Sequence, residues 1–302
     1  MLEISIVPEC LQESTLRLWQ QFQEAAGDAT LAAIQQLASD DFCQQLTRAF
    51  GGSEFIAKTL IANPQILLEL VETQALTQPL ERLQGPLAPA SLATQVANCA
   101  TDVELDSALR QYRQRAMVRL LWRDFNRLAD LTETTADVSA LAEHTIQLAL
   151  DFHYQKLAKT LGTPIGKQSG EPQTMVVLGM GKLGARELNV SSDIDLIFGY
   201  PESGNTRGGR KELSNQEFFV RLGQRLIKSL DAGGAEGFVF RVDMRLRPYG
   251  QSGALVLNFD ALEEYYQTQG RDWERFAMIK ALVSGGVGAE VGVQQAIFSR
   301  FL

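Results

Sequence analysis

The 302-residue sequence predicts an α+β protein. Three observations point there. Apolar residues recur at three- and four-residue spacing from about Leu11 to Leu161. A Gly/Pro/Ser-rich stretch, "LGTPIGKQSGEPQ" (Leu161–Gln173), then interrupts that pattern. Short apolar runs follow it, among them "TMVVLG" and the alternating "DIDLIFGY". Spacing of three and four marks one face of a helix; alternation marks one face of a strand.

Within the helical lead, segments 11–26, 29–38, 40–50, 53–62 and 64–72 are expected as helices. "QPLERLQGPLAPAS" (Gln78–Ser91) carries three prolines and a glycine and reads as a connector. The clearest helix is Glu104–Leu131, with a stripe through Leu105, Leu109, Tyr112, Ala116, Leu120 and Leu128. "TDVE" (Thr101–Glu104) opens it as a capping box, the Thr hydroxyl and Glu carboxylate taking up exposed backbone N–H groups. A further helix is expected over 137–161. Past the boundary, "TMVVLG" and "DIDLIFGY" are strands and "PESGNTRGGRKEL" a polar loop. "SNQE" (Ser214–Glu217) opens a helix that buries Phe218, Phe219, Leu222, Leu226, Ile227 and Leu230. Gly237–Arg247 and Gly253–Phe259 read as strands, and from Asp260 the pattern is helical again. The expected organisation is a helical region at 1–165, a catalytic core at 166–260 and a C-terminal helical segment at 261–302. The final "FSRFL" lacks a helix-stop signal, so the chain is expected to be cut there.

Composition narrows the function. A 45% hydrophobic content over this length supports a sizeable core and about two domains. The net charge of −8 argues against a nucleic-acid binder. Cys10, Cys43 and Cys99 are scattered, as expected of reduced thiols in a cytoplasmic protein. The N-terminus lacks signal-peptide character, and no apolar run approaches the ~18 residues of a membrane span. The expectation is therefore a soluble protein. His144 and His153 are the two histidines, both in a helical segment and read as structural; a Ser/His/Asp triad or a His-rich zinc site is hard to build from them. Carboxylates, Lys and Arg must carry the chemistry.

"VVLGMGKLGARELNVSSDIDLIF" (Val176–Phe198) contains a literal G-x-G-x-x-G at Gly179, Gly181 and Gly184. A dinucleotide fold needs a full crossover helix before the next strand, in a unit of ~30 residues. Only Ala185–Ser192 intervene here, which is too short. Lys182 is followed by Leu183 rather than Ser or Thr, so a P-loop fails as well.

Metal chemistry fits better. In a strand, Asp193 and Asp195 project to one side, and two such carboxylates repel unless a cation neutralises them. Hard oxygen ligands suit Mg²⁺. Asp243, acidic within the apolar "VFRVDMRLRP", supplies a third carboxylate. Two metals could then clamp an in-line phosphoryl displacement. The glycine turn at Gly181 and Gly184 would bring backbone N–H groups to phosphate, and Lys182 would add a point charge. If the strand continues, Arg245 and Arg247 lie on the face of Asp243 and could grip phosphate. The competing readings are plain. Asp243 could pair structurally with Arg241 or Arg245, and Lys182 could be a surface turn lysine. Arg207, Arg210 and Lys211 are read as solvated rather than as a mobile phosphate lid.

A glycine turn, a short spacer, an Asp-x-Asp and a distant third Asp resemble the nucleotidyltransferase superfamily with the polymerase-β-like fold. The longer strings "GMGKLGARELNVSSDIDLIF", "VFRVDMRLRPYGQSGALVL" and "YYQTQGRDWERFAMIKA" resemble a narrower family, the bifunctional glutamine synthetase adenylyltransferase/adenylyl-removing enzymes. They cover about Met175–Ala281, and "RELNVSSDIDLIF" and "VDMRLRPYG" are closer to that family's N-terminal, adenylyl-removing half.

The resemblance implies a mixed polymerase-β-like sheet with flanking helices. It implies two Mg²⁺ ions held by Asp193, Asp195 and Asp243, and nucleotide phosphate contacts from Lys182 and Ser192. It implies phosphorolysis, with inorganic phosphate releasing AMP from a tyrosine of adenylylated glutamine synthetase as ADP; the residue chemistry alone leaves the direction of transfer open. Control by a PII signalling protein is implied too. The superfamily's second Gly or Ser falls at Ala185, so phosphate contact there is expected through backbone N–H. Trp273, in "GRDWER", is read as core rather than as a base-stacking platform, and Lys280 matches a family position.

Overall fold

The computed structural model describes residues 2–39, 41–83, 85–234 and 236–286. The chain divides into two compact units, Met1–Thr94 with Gln111–Val138, and Gln95–Arg110 with Ser139–Leu302. The class is α+β.

The helical lead forms α1 (Glu9–Leu37), α2 (Phe42–Gly52), α3 (Glu54–Ala62), α4 (Gln65–Glu72), α5 (Pro89–Ala97), α6 (Asp102–Phe125) and α7 (Leu131–Leu161). α1 is broken at Gly27, whose φ of 70° and ψ of 165° are non-helical. The break separates the two segments that the sequence spacing predicts. α5 begins in the last residues of the stretch that reads as connector and runs beyond it to Ala97. α6 opens on the expected capping box: Thr101 Oγ1 accepts from the Glu104 N–H and Glu104 Oε2 accepts from the Thr101 N–H. It stops at Phe125 rather than running to Leu131. The Asn126 side chain turns back to the Trp122 carbonyl, and Arg127 takes a left-handed φ of 55°.

The first unit's core gathers Trp19, Phe22, Phe42, Leu46, Phe50 and Trp122. Arg119 is buried there; its guanidinium donates to the Ala75 and Gln78 carbonyls and to Asp137. A buried guanidinium is tolerable only when its donors are satisfied in this way.

The second unit carries β1 (Thr163–Gly166), β2 (Val176–Gly179), the single turn α8 (Gly181–Gly184), β3 (Ile194–Tyr200), β4 (Gly204–Arg207) and α9 (Asn215–Asp231). β5 (Val242–Asp243), β6 (Val256–Asn258), α10 (Phe259–Thr268), α11 (Asp272–Met278) and β7 (Leu282–Gly285) follow. β3 is the sheet's centre. β2 pairs antiparallel with one edge of it, and β7 pairs antiparallel with β2. β5 and β6 both pair parallel with β3, at Ile194–Asp195 and at Phe198–Tyr200. One face of the sheet, with Val176, Leu178 and Ile197, packs on α10 and α11 through Leu262, Tyr265, Tyr266 and Met278. On the other, Phe198 meets Gly223 of α9, and Tyr200 stacks on Phe219 at 4.6 Å. α9 begins with the expected Ser214–Glu217 capping box.

Four elements of the second unit depart from the sequence reading. β1 and β4 form a separate two-stranded antiparallel sheet, so Arg207, read as loop, is paired with Thr163. β7 is a strand where helix is expected after Met278. The strand expected over Gly237–Arg247 is reduced to Val242–Asp243. The "FSRFL" terminus lies outside the described residues. Among the described residues, no helix is long and apolar enough to cross a membrane.

Candidate active site

β2 is fully buried and ends at Gly179. The next residue, Met180, donates its N–H to the Asp195 carbonyl at 2.9 Å, holding the glycine turn against the start of β3. Gly181 takes a left-handed φ of 55°, where a side chain would be strained. A Cβ there would stand 3.7 Å from Asp195 Oδ2, ordinary contact distance, so the turn lies directly beside that carboxylate. Gly184 serves packing: a Cβ would run into the Lys280 and Gly179 carbonyl oxygens. Antiparallel pairing of β2 and β3 across one helical turn excludes the parallel crossover of a dinucleotide fold.

Asp195 is half-buried on β3, and its Cα is in register with that of Asp243 on parallel β5. Paired residues on neighbouring strands project to the same face. Asp193 lies just before β3 and is exposed. The three acids share one electrostatic field. Burial first, then the Asp243 and Asp193 carboxylates, push the Asp195 carboxyl above its usual range; Arg245 and Lys182 act in the opposite sense.

Asp243 has the opposite shift. Hydrogen bonds from Arg245 hold its carboxyl below the usual range. Arg245 Nε donates to Oδ2 at 2.7 Å, and the Arg245 backbone N–H donates to Oδ1 at 2.8 Å. This is the structural pairing that the sequence left open. Among the described residues, no three acidic, His or Cys side chains are drawn close enough to enclose a metal ion. Arg245 supplies positive charge to Asp243 instead.

The remaining candidates sort clearly. Lys182 Nζ and Ser192 Oγ meet at 3.4 Å beside the acids. Arg247 does not extend a strand. Its guanidinium donates to the Met244, Gly253 and Gln251 carbonyls and braces the turn. The Ala185 N–H, expected to contact phosphate, is taken by the Gly181 carbonyl at 3.1 Å because α8 closes on itself there. Lys280 pairs with Glu187 at 3.1 Å. His153 is buried against Ser229, with Nε2 and Oγ 2.8 Å apart. Trp273 is 49% exposed, so it is not a core residue.

Sequence reasoning gave Arg241 too small a part. Its guanidinium donates to the Ser191 carbonyl at 2.7 Å, and its own carbonyl accepts from the Ile194 N–H at 2.9 Å. It fixes the chain on either side of Asp193. The signal was present in the regular placement of Arg241, Asp243 and Arg245. An open cleft of 340 Å³ runs along Asp193, Arg241, Asp243, Arg245, Arg247 and Gln251. Carboxylates with flanking arginines and a glycine turn make a site suited to cations and phosphates rather than to acyl chemistry.

Comparison with known proteins agrees with this geometry. The family described as "Glutamate-ammonia ligase adenylyltransferase" matches residues 43–296. A relative from Pseudomonas aeruginosa is 53% identical over 266 residues, covering 87% of this chain and 26% of its own length. One from Nitrosococcus oceani is 49% identical over 280 residues, covering 93% of this chain and 28% of its own. One from Thioalkalivibrio sulfidiphilus is 45% identical over 304 residues, covering 99% and 30%. Each is named a bifunctional glutamine synthetase adenylyltransferase/adenylyl-removing enzyme. The chain thus spans 26–30% of the length of these relatives. With a match over most of its residues, the chain belongs to the glutamate-ammonia ligase adenylyltransferase family.

Proposed function

We propose that this chain is an adenylyl-removing nucleotidyltransferase that converts adenylylated glutamine synthetase and inorganic phosphate into ADP and the unmodified enzyme. Residues 166–260 form its catalytic core, and a PII signalling protein regulates the whole enzyme in the cytoplasm. The register of Asp195 with Asp243, beside Asp193, carries the reading.

The residue types fit a divalent cation, although the three carboxylates are not drawn together around one in this structure. The donor set is all carboxylate, the hard oxygen chemistry that Mg²⁺ prefers. The glycine turn at Gly181 lies directly beside Asp195 Oδ2. Asp193, Asp195 and Asp243 would hold two Mg²⁺ ions, which would neutralise charge on the transferring phosphoryl group. Holding a cation would require Asp243 to give up its contact with Arg245, which would leave that guanidinium available to phosphate.

The chain's own residues supply the rest. Arg245 binds the attacking phosphate. Lys182 and Ser192 hold the phosphate of the AMP group. An oxygen of inorganic phosphate attacks the AMP phosphorus, the bond from phosphorus to the tyrosine oxygen breaks, and that oxygen takes a proton. Preorganised charge is the main source of rate in such transfers.

The test supplies the chain with adenylylated glutamine synthetase, Mg²⁺ and phosphate and measures ADP. Asp193→Asn and Asp243→Asn should each lower the rate at least about 100-fold, the scale of losing one preorganised electrostatic group. Unchanged rates in both variants would point to a non-catalytic nucleotide-binding module and sink the proposal.

A further inference from the structure

A second cleft of 370 Å³ adjoins the acidic one, and Arg245 lines both. Its other walls include Tyr249, Gln269, Arg271, Trp273 and Glu274. Two aromatic side chains stand unusually open there, Tyr249 at 58% and Trp273 at 49% exposure. Tyr249 is also held at a left-handed φ of 60°, a conformation that costs a bulky residue energy and persists only where its surroundings impose it. The Arg271 guanidinium lies 5.6 Å above the Trp273 ring. The floor is rigid. Buried Glu274 accepts from the Tyr265 hydroxyl at 2.7 Å and from the Arg271 N–H at 2.8 Å. Its carboxylate is therefore occupied, and Gln269 offers an amide edge.

Two solvent-exposed aromatic rings, an amide and a guanidinium suit a flat heteroaromatic ring with hydrogen-bonding edges. The volume lies at the small-molecule end of binding sites, of order 300–1,000 Å³. A bare phosphate would use only the guanidinium groups of Arg245 and Arg271 and neither aromatic ring.

We propose that this cleft receives the nucleoside of the adenine nucleotide, its base against the rings of Tyr249 and Trp273, while Arg245 links it to the phosphates in the acidic cleft. The assignment rests on the phosphoryl-transfer reading of the neighbouring site. It makes Trp273 and Tyr249 base-binding residues rather than packing residues.

Titration calorimetry of the full chain in Mg²⁺ with ADP, and separately with inorganic pyrophosphate, tests it. Pyrophosphate lacks the nucleoside. Trp273→Ala and Tyr249→Ala should each weaken ADP about 5- to 100-fold, the range of one lost base–aromatic stack. Pyrophosphate affinity should stay within about twofold, since these rings touch no phosphate. Trp273→Phe keeps a ring and should restore most of the ADP affinity. Unchanged ADP affinity in both alanine variants overturns the proposal. So does equal weakening of both ligands, which would mean a damaged fold. Unchanged ADP binding with weaker binding of adenylylated glutamine synthetase would give the cleft to the protein substrate instead. If the unmodified chain binds neither ADP nor pyrophosphate, the phosphoryl-transfer reading itself fails, and this assignment with it.

Discussion

At the residue scale, the turn after Asp243 decides how the site is built. Asp243 Oδ1 accepts the Arg245 N–H two residues on. A side chain that binds its own backbone in this way competes with a strand ladder and turns the chain. That is why the alternation of Arg245 and Arg247 misled: the spacing is right for a strand, but the Asp carboxylate ends the strand first. The Asp-x-Asp and the third acid were legible because their residue types are costly in an apolar setting. The exposure of Trp273 was not legible, since a Trp between charged residues fits either a core or a cleft. His153 gives a separate test. Burial lowers its pKa to about 4 from 6.5. The unfolded chain then binds the proton more tightly, so this contribution to stability is complete above pH 6.5 and is lost as pH falls toward 4. Between pH 7 and pH 5 it should remove roughly 2 kcal/mol. His153→Gln should flatten that part of the stability profile in denaturant titrations at several pH values.

At the element scale, helices were easier to read than strands. α9 follows from its capping box and apolar face, and both are present. Ser214→Ala should cost about 1 kcal/mol in urea unfolding, the usual price of a lost N-cap. Leu226→Ala, fully buried on the same helix, should cost about 2–5 kcal/mol. β1 and β4 stayed hidden because their pairing joins two Gly-rich stretches about forty residues apart, and glycine carries little strand signal. β7 was hidden because a four-residue strand after two helices leaves too few residues to show a change of period. Arg247 braces its own element through the Met244, Gly253 and Gln251 carbonyls. Arg247→Ala should slow ADP formation while leaving the thermal melt within a few degrees, because it frees the turn that presents Asp243.

At the scale of the whole molecule, the proposed direction of transfer has its own test. Given ATP, Mg²⁺ and unmodified glutamine synthetase, the chain should attach no radiolabelled AMP; incorporation would reverse the direction proposed above. The α+β class was legible because the helical period and the alternating period occupy different parts of the sequence. The contrast between the two strands that carry the acids has a further effect. Asp195 sits on a seven-residue strand paired along both edges, whereas Asp243 sits on a two-residue strand next to a turn. Amide hydrogen exchange should therefore be slow at 196–199 and orders of magnitude faster at 242–247, since local opening costs least where few backbone bonds hold. In the proposed reaction the acidic cleft would then have one fixed jaw and one compliant jaw, and letting the product go would require only the compliant side to unlatch while the sheet stays intact.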